Sequence, residues 1–179
     1  MRMKKVITII VLSLIFVQCT NQDESLMAKN KVGKLNNKTQ IDEIDTLFKN
    51  DSIVKLPEDS DVIREYKIYE AGGNHILTIK PSFESDTTKT IESVQVFSDA
   101  YLTERGITTE SVFSDILDSY SINKIEPTFS TATLFIDEIN ATIALDKKDL
   151  KIDEFDMRKI SQDQIPDNAK IKYITIWFD

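Results

Sequence analysis

The residues of this sequence whose types could support chemistry are one cysteine, one histidine and several groups of acids. Cys19 has no second cysteine with which to form a disulfide or a cysteine metal cluster. His75 could be a general base or a metal ligand, but no serine or acid stands at motif spacing with it. We therefore interpret His75 as a strand residue beside the turn at Gly72-Gly73.

The acids occur in clusters within polar stretches. Paired carboxylates can hydrolyse glycosidic bonds or bind calcium, but no cluster has the spacing and the central glycine of a calcium loop. We predict that they form solvated surfaces, and we predict no catalytic, cofactor-binding or metal-binding residues. The clustered residues are Asp42, Glu43 and Asp45; Glu58, Asp59 and Asp61; and Asp149, Asp153, Glu154 and Asp156.

Cys19 follows a short apolar segment at the start of the chain. Arg2, Lys4 and Lys5 come first, and residues 6–17 then read VITIIVLSLIFV. These 12 residues are too few to cross a bilayer, which takes about 20. A basic start followed by a short apolar run is typical of a secretory signal.

The end of this run, Phe16-Val17-Gln18-Cys19, resembles a bacterial lipobox, and Gln18 resembles the looser lipoboxes of the Bacteroidetes. The resemblance implies a signal peptide over residues 1–18 and a lipid on Cys19. The chain would then be anchored in the cell envelope, at the outer membrane, on its periplasmic or surface-facing side. Two alternatives stay open, namely a secreted protein with an incidental cysteine and an uncleaved membrane anchor.

The charge of the chain limits its partners. Its formal net charge is −8, and removal of residues 1–18 takes away three of the 22 cations and none of the 30 acids, which leaves −11. Such a surface repels nucleic acids and anionic headgroups. We exclude a nucleic-acid partner and expect the lipid to provide the membrane contact.

From residue 39 onward the apolar spacing predicts two short helices and two β-hairpins. Helical spacing is seen at Ile41, Ile44, Leu47 and Phe48, and again after Thr108, whereas alternation around short polar turns indicates the hairpins. The predicted strands cover residues 53–56, 64–70, 75–80, 91–97, 122–125, 131–136, 141–145 and 170–178.

Because this order of elements occurs twice, we predict two similar halves, at about 39–97 and 108–179, and hypothesise an internal duplication. Together they predict a single α+β domain over residues 38–179, with a mainly antiparallel sheet and the helices on one face. Residues 19–37 are polar and predict a tether between the lipid and the domain.

The same order resembles that of the YfeY-like lipoproteins, an uncharacterised family. The resemblance implies a fold and a lipid anchor but no activity, and the cysteine pair in the second half of that family is missing here. The matching residues are Thr39-Gln40-Ile41 with Leu47-Phe48, residues 91–96 (IESVQV), Gly106-Ile107 with Val112-Phe113, and residues 171–177 (IKYITIW).

These observations predict a membrane-anchored lipoprotein that is not an enzyme and serves as a binding or assembly accessory for an envelope protein or glycan. One alternative is an inhibitor or immunity-type protein whose acidic surface occludes a hydrolase or toxin. A carboxylate-dependent hydrolase is a third. The charged insertion at residues 146–168 has no counterpart in the first half, and we expect a partner site there.

Overall fold

The computed structural model describes residues 24–57, 63–82, 90–153 and 155–179. The predicted signal peptide and the predicted lipidation site at Cys19 lie outside these residues. So do the clustered acids Glu58, Asp59, Asp61 and Glu154.

The described residues contain twelve strands, which form one sheet of eight strands and one of four. In chain order the strands are β1 (Leu26–Ala28), β2 (Lys31–Val32), β3 (Leu35–Asn36), β4 (Ser52–Pro57), β5 (Ile63–Tyr69), β6 (His75–Pro81), β7 (Ile91–Val96), β8 (Leu102–Thr103), β9 (Lys124–Pro127), β10 (Thr131–Ile136), β11 (Ala141–Asp146) and β12 (Ile171–Trp177).

The larger sheet is antiparallel, with the strand order β4-β5-β6-β7-β12-β11-β10-β9. Each half of the chain contributes four consecutive strands, and the two sets meet where β7 pairs with β12. Val96 lies opposite Ile174 at this junction, and Ser93 lies opposite Trp177. Each stretch that the alternation predicts as a strand overlaps a strand of this sheet.

One face of the larger sheet forms the core. Since side chains alternate between the two faces of a strand, the register places one apolar residue from each of five adjacent strands in a row on this face. Each is at most 1 % exposed, and burial of such a side chain contributes about 1.5–3 kcal/mol. The row consists of Ile68, Leu77, Val96, Ile174 and Ile143.

The smaller sheet contains the segment that the sequence predicts as a tether. Within β1, β2 and β3, the side chains of Met27, Val32 and Leu35 are buried and belong to the same hydrophobic core. β1 also pairs in parallel with β8, in the middle of the chain. From Glu24 onward the segment is therefore part of the domain, because its few apolar side chains enter the core.

The prediction of an α+β domain with helices on one face is wrong, because the helices are too short to form a layer. A 3-10 turn at Ile41–Glu43 leads into α1 (Ile44–Leu47), which is a single turn, and α2 (Phe113–Ser119) has seven residues. Ile44, Phe113 and Ile116 are buried as the helical spacing predicts. They share the core with the smaller sheet and with loop residues, so the domain is mainly β.

The two halves hold their first helical turns in the same way. Gln40, which caps the first turn, forms a bridge with Thr90, one residue before β7. Val112, which caps α2, forms a bridge with Lys170, one residue before β12. The two halves therefore share an order of elements and a closing contact, and the duplication itself stays a hypothesis.

Candidate functional site

Four aromatic rings lie in contact on the face of the larger sheet that is opposite the core. The ring centroids are 5.0 Å apart for Tyr69 and His75, 4.3 Å for His75 and Phe97, and 5.6 Å for Phe97 and Tyr173. All four residues are half-buried. We name these four residues the aromatic row.

The aromatic row is assembled by one turn and one strand pairing. The turn between β5 and β6 brings Tyr69 opposite His75, and it is closed by Gly73, which has a φ of 83° and donates to the Glu70 carbonyl over 2.8 Å. Phe97 directly follows β7 and Tyr173 lies in β12. The row is therefore completed only where the two halves of the chain pair.

The imidazole of His75 is fixed by hydrogen bonds within β6. Its Nε2 lies 3.0 Å from the Leu77 carbonyl oxygen and 2.9 Å from Thr78 Oγ1. Because a carbonyl oxygen only accepts, Nε2 carries the proton and donates it. Burial lowers the pKa of His75 below its usual value, and the bond to Leu77 opposes this only in part. The ring is therefore neutral at pH 7.

We name the side of the larger sheet opposite the core the open face. Beside the aromatic row it carries a line of uncharged residues that begins next to Lys67 of β5. The register places Thr78, Gln95, Thr175 and Thr142 side by side on adjacent strands. At the far end of β12, Trp177 donates from Nε1 to Thr142 Oγ1 over 3.3 Å. The three threonines are buried and Gln95 is half-buried, so this side of the sheet offers an amide and aromatic rings to a ligand.

A second apolar surface lies at the edge of the larger sheet. Phe129, in the turn between β9 and β10, meets Phe155 edge to face with centroids 5.0 Å apart. Phe129 is 57 % exposed, Phe155 74 % and Met157 58 %. We name these three residues the tip patch. Two of them belong to the insertion at 146–168, where the sequence predicts a partner site.

Lys147 fixes the backbone that carries the tip patch. Its backbone amide donates to the Ser130 carbonyl over 3.0 Å, directly after Phe129. Its buried Nζ donates over 2.6 Å to the carbonyl of Asp156, directly after Phe155. Phe129 and Phe155 therefore lie on two backbone segments that both hydrogen-bond to Lys147.

Three surface cavities bear on the hydrolase alternative. The largest, of about 350 Å³, is lined by Glu43 with Lys34 and Lys38. A cavity of about 180 Å³ has Asp156 as its one carboxylate, and one of about 230 Å³ has none. No two carboxylates meet in these three cavities, so the hydrolase alternative gains no support from them.

Of the residues that the sequence offered as candidates for catalysis or metal binding, His75 lies in the aromatic row. The clustered acids in the described residues lie at or near the surface, where Asp45 pairs with Lys55 over 2.7 Å and Asp156 with Arg158 over 2.6 Å. In the part of the chain that the structure describes, no group of three or more histidine, cysteine or acidic residues could hold a metal ion.

No helix among the described residues is long and apolar enough to cross a membrane.

The fold is similar to that of one solved structure, the uncharacterized protein YfeY from Escherichia coli. The TM-score is 0.55 and the sequence identity 15 %, and the match covers 87 % of this chain and 99 % of that chain. At this identity the likeness shows the fold alone, and to that extent the resemblance to the YfeY-like proteins is confirmed. No family model matches the chain, and no curated protein matches it.

Proposed function

We propose that this chain is a lipid-anchored protein of the bacterial envelope that binds another protein through the aromatic row and performs no catalysis. The observation that carries this proposal is the contact between four half-buried rings on the sheet face opposite the core. Aromatic side chains are enriched at protein interfaces because they bury a large area with few rotatable bonds.

The stacking of the rings favours a protein over a glycan as the ligand. The planes of His75 and Phe97 are inclined by only 30°, so the two rings cover part of each other's faces. Sugar rings usually stack on open aromatic faces, whereas a protein side chain can pack against ring edges. The neighbouring half-buried amide of Gln95 would supply hydrogen bonds at the margin of such a contact.

The anchor is proposed from the sequence. Cys19 closes an apolar run of signal-peptide length and is the one thiol in the chain. Attachment of a diacylglycerol to its sulfur would give the firm membrane binding that two acyl chains provide. The Bacteroidetes type of the lipobox and the outer-membrane location are parts of the same proposal.

Site-specific photo-crosslinking in cells tests the binding surface. A benzophenone amino acid is placed at Tyr69 or at Tyr173, at the two ends of the aromatic row. The control position is Asp118, which is exposed on α2, on the core side of the larger sheet. We expect the two row positions to give the same protein adduct and Asp118 to give none. Absence of any adduct, or the same adduct from Asp118, overturns the proposal.

The same experiment separates the two non-catalytic alternatives. An adduct with a hydrolase or a toxin would favour the inhibitor or immunity-type protein, because an inhibitor must contact the enzyme that it blocks. An adduct with a structural or assembly protein would favour the accessory role. The anchor is tested separately with Cys19→Ser, which should abolish lipid labelling and release the protein from the membrane fraction.

A further inference from the structure

We infer that the tip patch inserts into the lipid surface that anchors the chain, so that the domain lies against the bilayer at a fixed angle. This inference rests on the proposed anchor at Cys19. It assigns the exposed side chains of Phe129, Phe155 and Met157 to acyl chains at the bilayer interface. The proposed protein partner is left to the aromatic row.

The first argument is the exposure of apolar side chains on an ordered backbone. An exposed cluster of large apolar residues in a folded domain usually marks a contact surface. The bonds from Lys147 to Ser130 and to Asp156 hold this cluster outward. Since the backbone is already fixed, insertion would cost little further conformational entropy.

The second argument is the position of the tip patch relative to the anchor. Glu24 lies beside Tyr101, because a Cβ at Gly33 would be 2.7 Å from the Glu24 carbonyl oxygen and 2.9 Å from Tyr101 Cε1. Tyr101 lies in the turn that follows β7, where its amide donates to the Ser98 carbonyl over 3.5 Å, so Glu24 lies near the end of β7. The antiparallel register puts the start of β4, the end of β7 and the start of β10 at one end of the larger sheet.

The tip patch lies at this same end. Phe129 comes two residues before β10 and about three strand spacings, or roughly 14 Å, from β7. From Cys19 to Glu24 the chain advances by five residues, which reach at most about 17 Å. A lipid on Cys19 would therefore hold this end of the sheet close to the bilayer.

The third argument is charge. Apart from the buried Lys147, the segment around Phe155 and Met157 (residues 148–159) contains four cations and four acids, whereas the chain as a whole is strongly acidic. Arg158 has 88 % of its side chain exposed. Cations at the rim of an apolar patch suit the headgroup region, where apolar residues enter by about 5–10 Å. The surface around the tip patch is therefore less acidic than the rest of the chain and does not repel an anionic membrane.

The test measures the depth of a tryptophan in vesicles. The lipidated full-length chain is reconstituted in vesicles of phosphatidylethanolamine and phosphatidylglycerol with brominated acyl chains, which quench an indole that enters the bilayer. Trp177 reports from the opposite end of the sheet, beside the turn at Asn140, and is 40 % exposed. Phe155→Trp in a Trp177→Phe background reports from the tip patch. Glu92→Trp in the same background, exposed at the start of β7 at the opposite end of the sheet, is the matched control.

We expect the indole at position 155 to lose more than about half of its emission and to shift to the blue, while those at positions 92 and 177 lose little. Equal quenching at the three positions, or none at position 155, overturns the inference. Vesicle flotation is measured on the same samples. Failure to float refutes the anchor and with it the inference, whereas flotation without quenching at position 155 refutes the inference alone.

Discussion

The side-chain ammonium of Lys147 is fully buried and donates a 2.6 Å hydrogen bond to the backbone carbonyl of Asp156. Lys147→Met keeps the length of the side chain but removes the donor, so the carbonyl loses this partner. Because a hydrogen bond from a charged group contributes about 1.5–3 kcal/mol, we expect a loss of that size in the free energy of unfolding. Chemical denaturation measures it.

Lys148→Met is the control for this change. Lys148 is the next residue and is exposed, so its replacement should alter the free energy of unfolding by less than about 0.5 kcal/mol. Equal effects of the two substitutions would mean that the buried ammonium does not stabilise the insertion. The Phe155→Trp reporter described above, combined with Lys147→Met, would also show whether the tip patch loses its fixed orientation.

His75 predicts a pH dependence of stability. Burial lowers the pKa of the folded imidazole, so near pH 6.5 the unfolded chain binds a proton more readily than the folded chain does. The free energy of unfolding therefore decreases as the pH falls from about 6.5 towards the pKa of the folded state. Lys67 adds to the lowering and Glu65 opposes it. Denaturation of the wild type and of His75→Gln between pH 7 and pH 5 should show a steeper loss in the wild type.

The comparison with His75→Gln removes the effect of the acids, since these titrate in both proteins. Parallel curves for the two proteins would show that the imidazole is not desolvated in solution.

The larger sheet could be predicted from the sequence because its signals are local. Alternation over four to nine residues, separated by short turns such as Gly72-Gly73, is enough to indicate hairpins. The smaller sheet has no such signal, since β2 and β3 have two residues each and β1 finds one of its partners in β8, far along the chain. The polar composition of residues 19–37 therefore predicted a tether, although Met27, Val32 and Leu35 in this segment are core residues.

The aromatic row could not be predicted for a related reason. His75 and Tyr69 belong to one hairpin, but Phe97 and Tyr173 come from the last strands of the two halves. Their contact depends on the pairing of β7 with β12, and nothing in the spacing of the residues specifies that pairing. The available signal was that each predicted half ends in a strand outside its predicted hairpin, at residues 91–97 and 170–178.

Gly33 should tolerate no side chain. Its φ is 56°, and an added Cβ would meet the Glu24 carbonyl oxygen at 2.7 Å and Tyr101 Cε1 at 2.9 Å. Burial in this contact, together with nearby acids, raises the pKa of Tyr101 to about 12. We expect Gly33→Ala to lower the free energy of unfolding by about 1–3 kcal/mol, measured by chemical denaturation.

Gly73→Ala is the control that separates backbone strain from the steric clash expected at Gly33. Gly73 has a φ of 83°, but an added Cβ would meet nothing within 4 Å. This change should therefore cost only the conformational strain of about 1–2 kcal/mol. If Gly33→Ala costs no more than Gly73→Ala, the packing of Glu24 and Tyr101 around Gly33 is looser in solution than in the structure.

The buried hydroxyl of Tyr120 predicts that Tyr120→Phe does not destabilise the fold. Tyr120 is 5 % exposed and its buried hydroxyl has no hydrogen-bond partner, while the guanidinium of Arg105 lies 4.6 Å from the ring centroid. Tyr120→Phe removes a desolvated polar group and keeps the ring, so stability should be unchanged or rise by up to about 1 kcal/mol. A clear fall in the thermal midpoint would reveal a partner for the hydroxyl.

The capping contacts of the two halves give the last prediction. The Gln40 amide donates to Glu43 Oε2 over 2.8 Å, and the Val112 amide donates to Asp115 Oδ2 over 2.9 Å. Glu43→Ala and Asp115→Ala should each lower the free energy of unfolding by roughly 1 kcal/mol. Asp118→Ala, at an exposed position in α2, is the control and should have a smaller effect.

The two capping variants should also act on different strands. Gln40 is bridged to Thr90 and Val112 to Lys170, so the loss of each cap should loosen the strand that follows its own bridge. Hydrogen exchange should therefore become faster at the start of β7 in Glu43→Ala and at the start of β12 in Asp115→Ala, because local opening exposes these amides first. Faster exchange spread equally over both strands would mean that the halves open as one unit and that the bridges do not act separately.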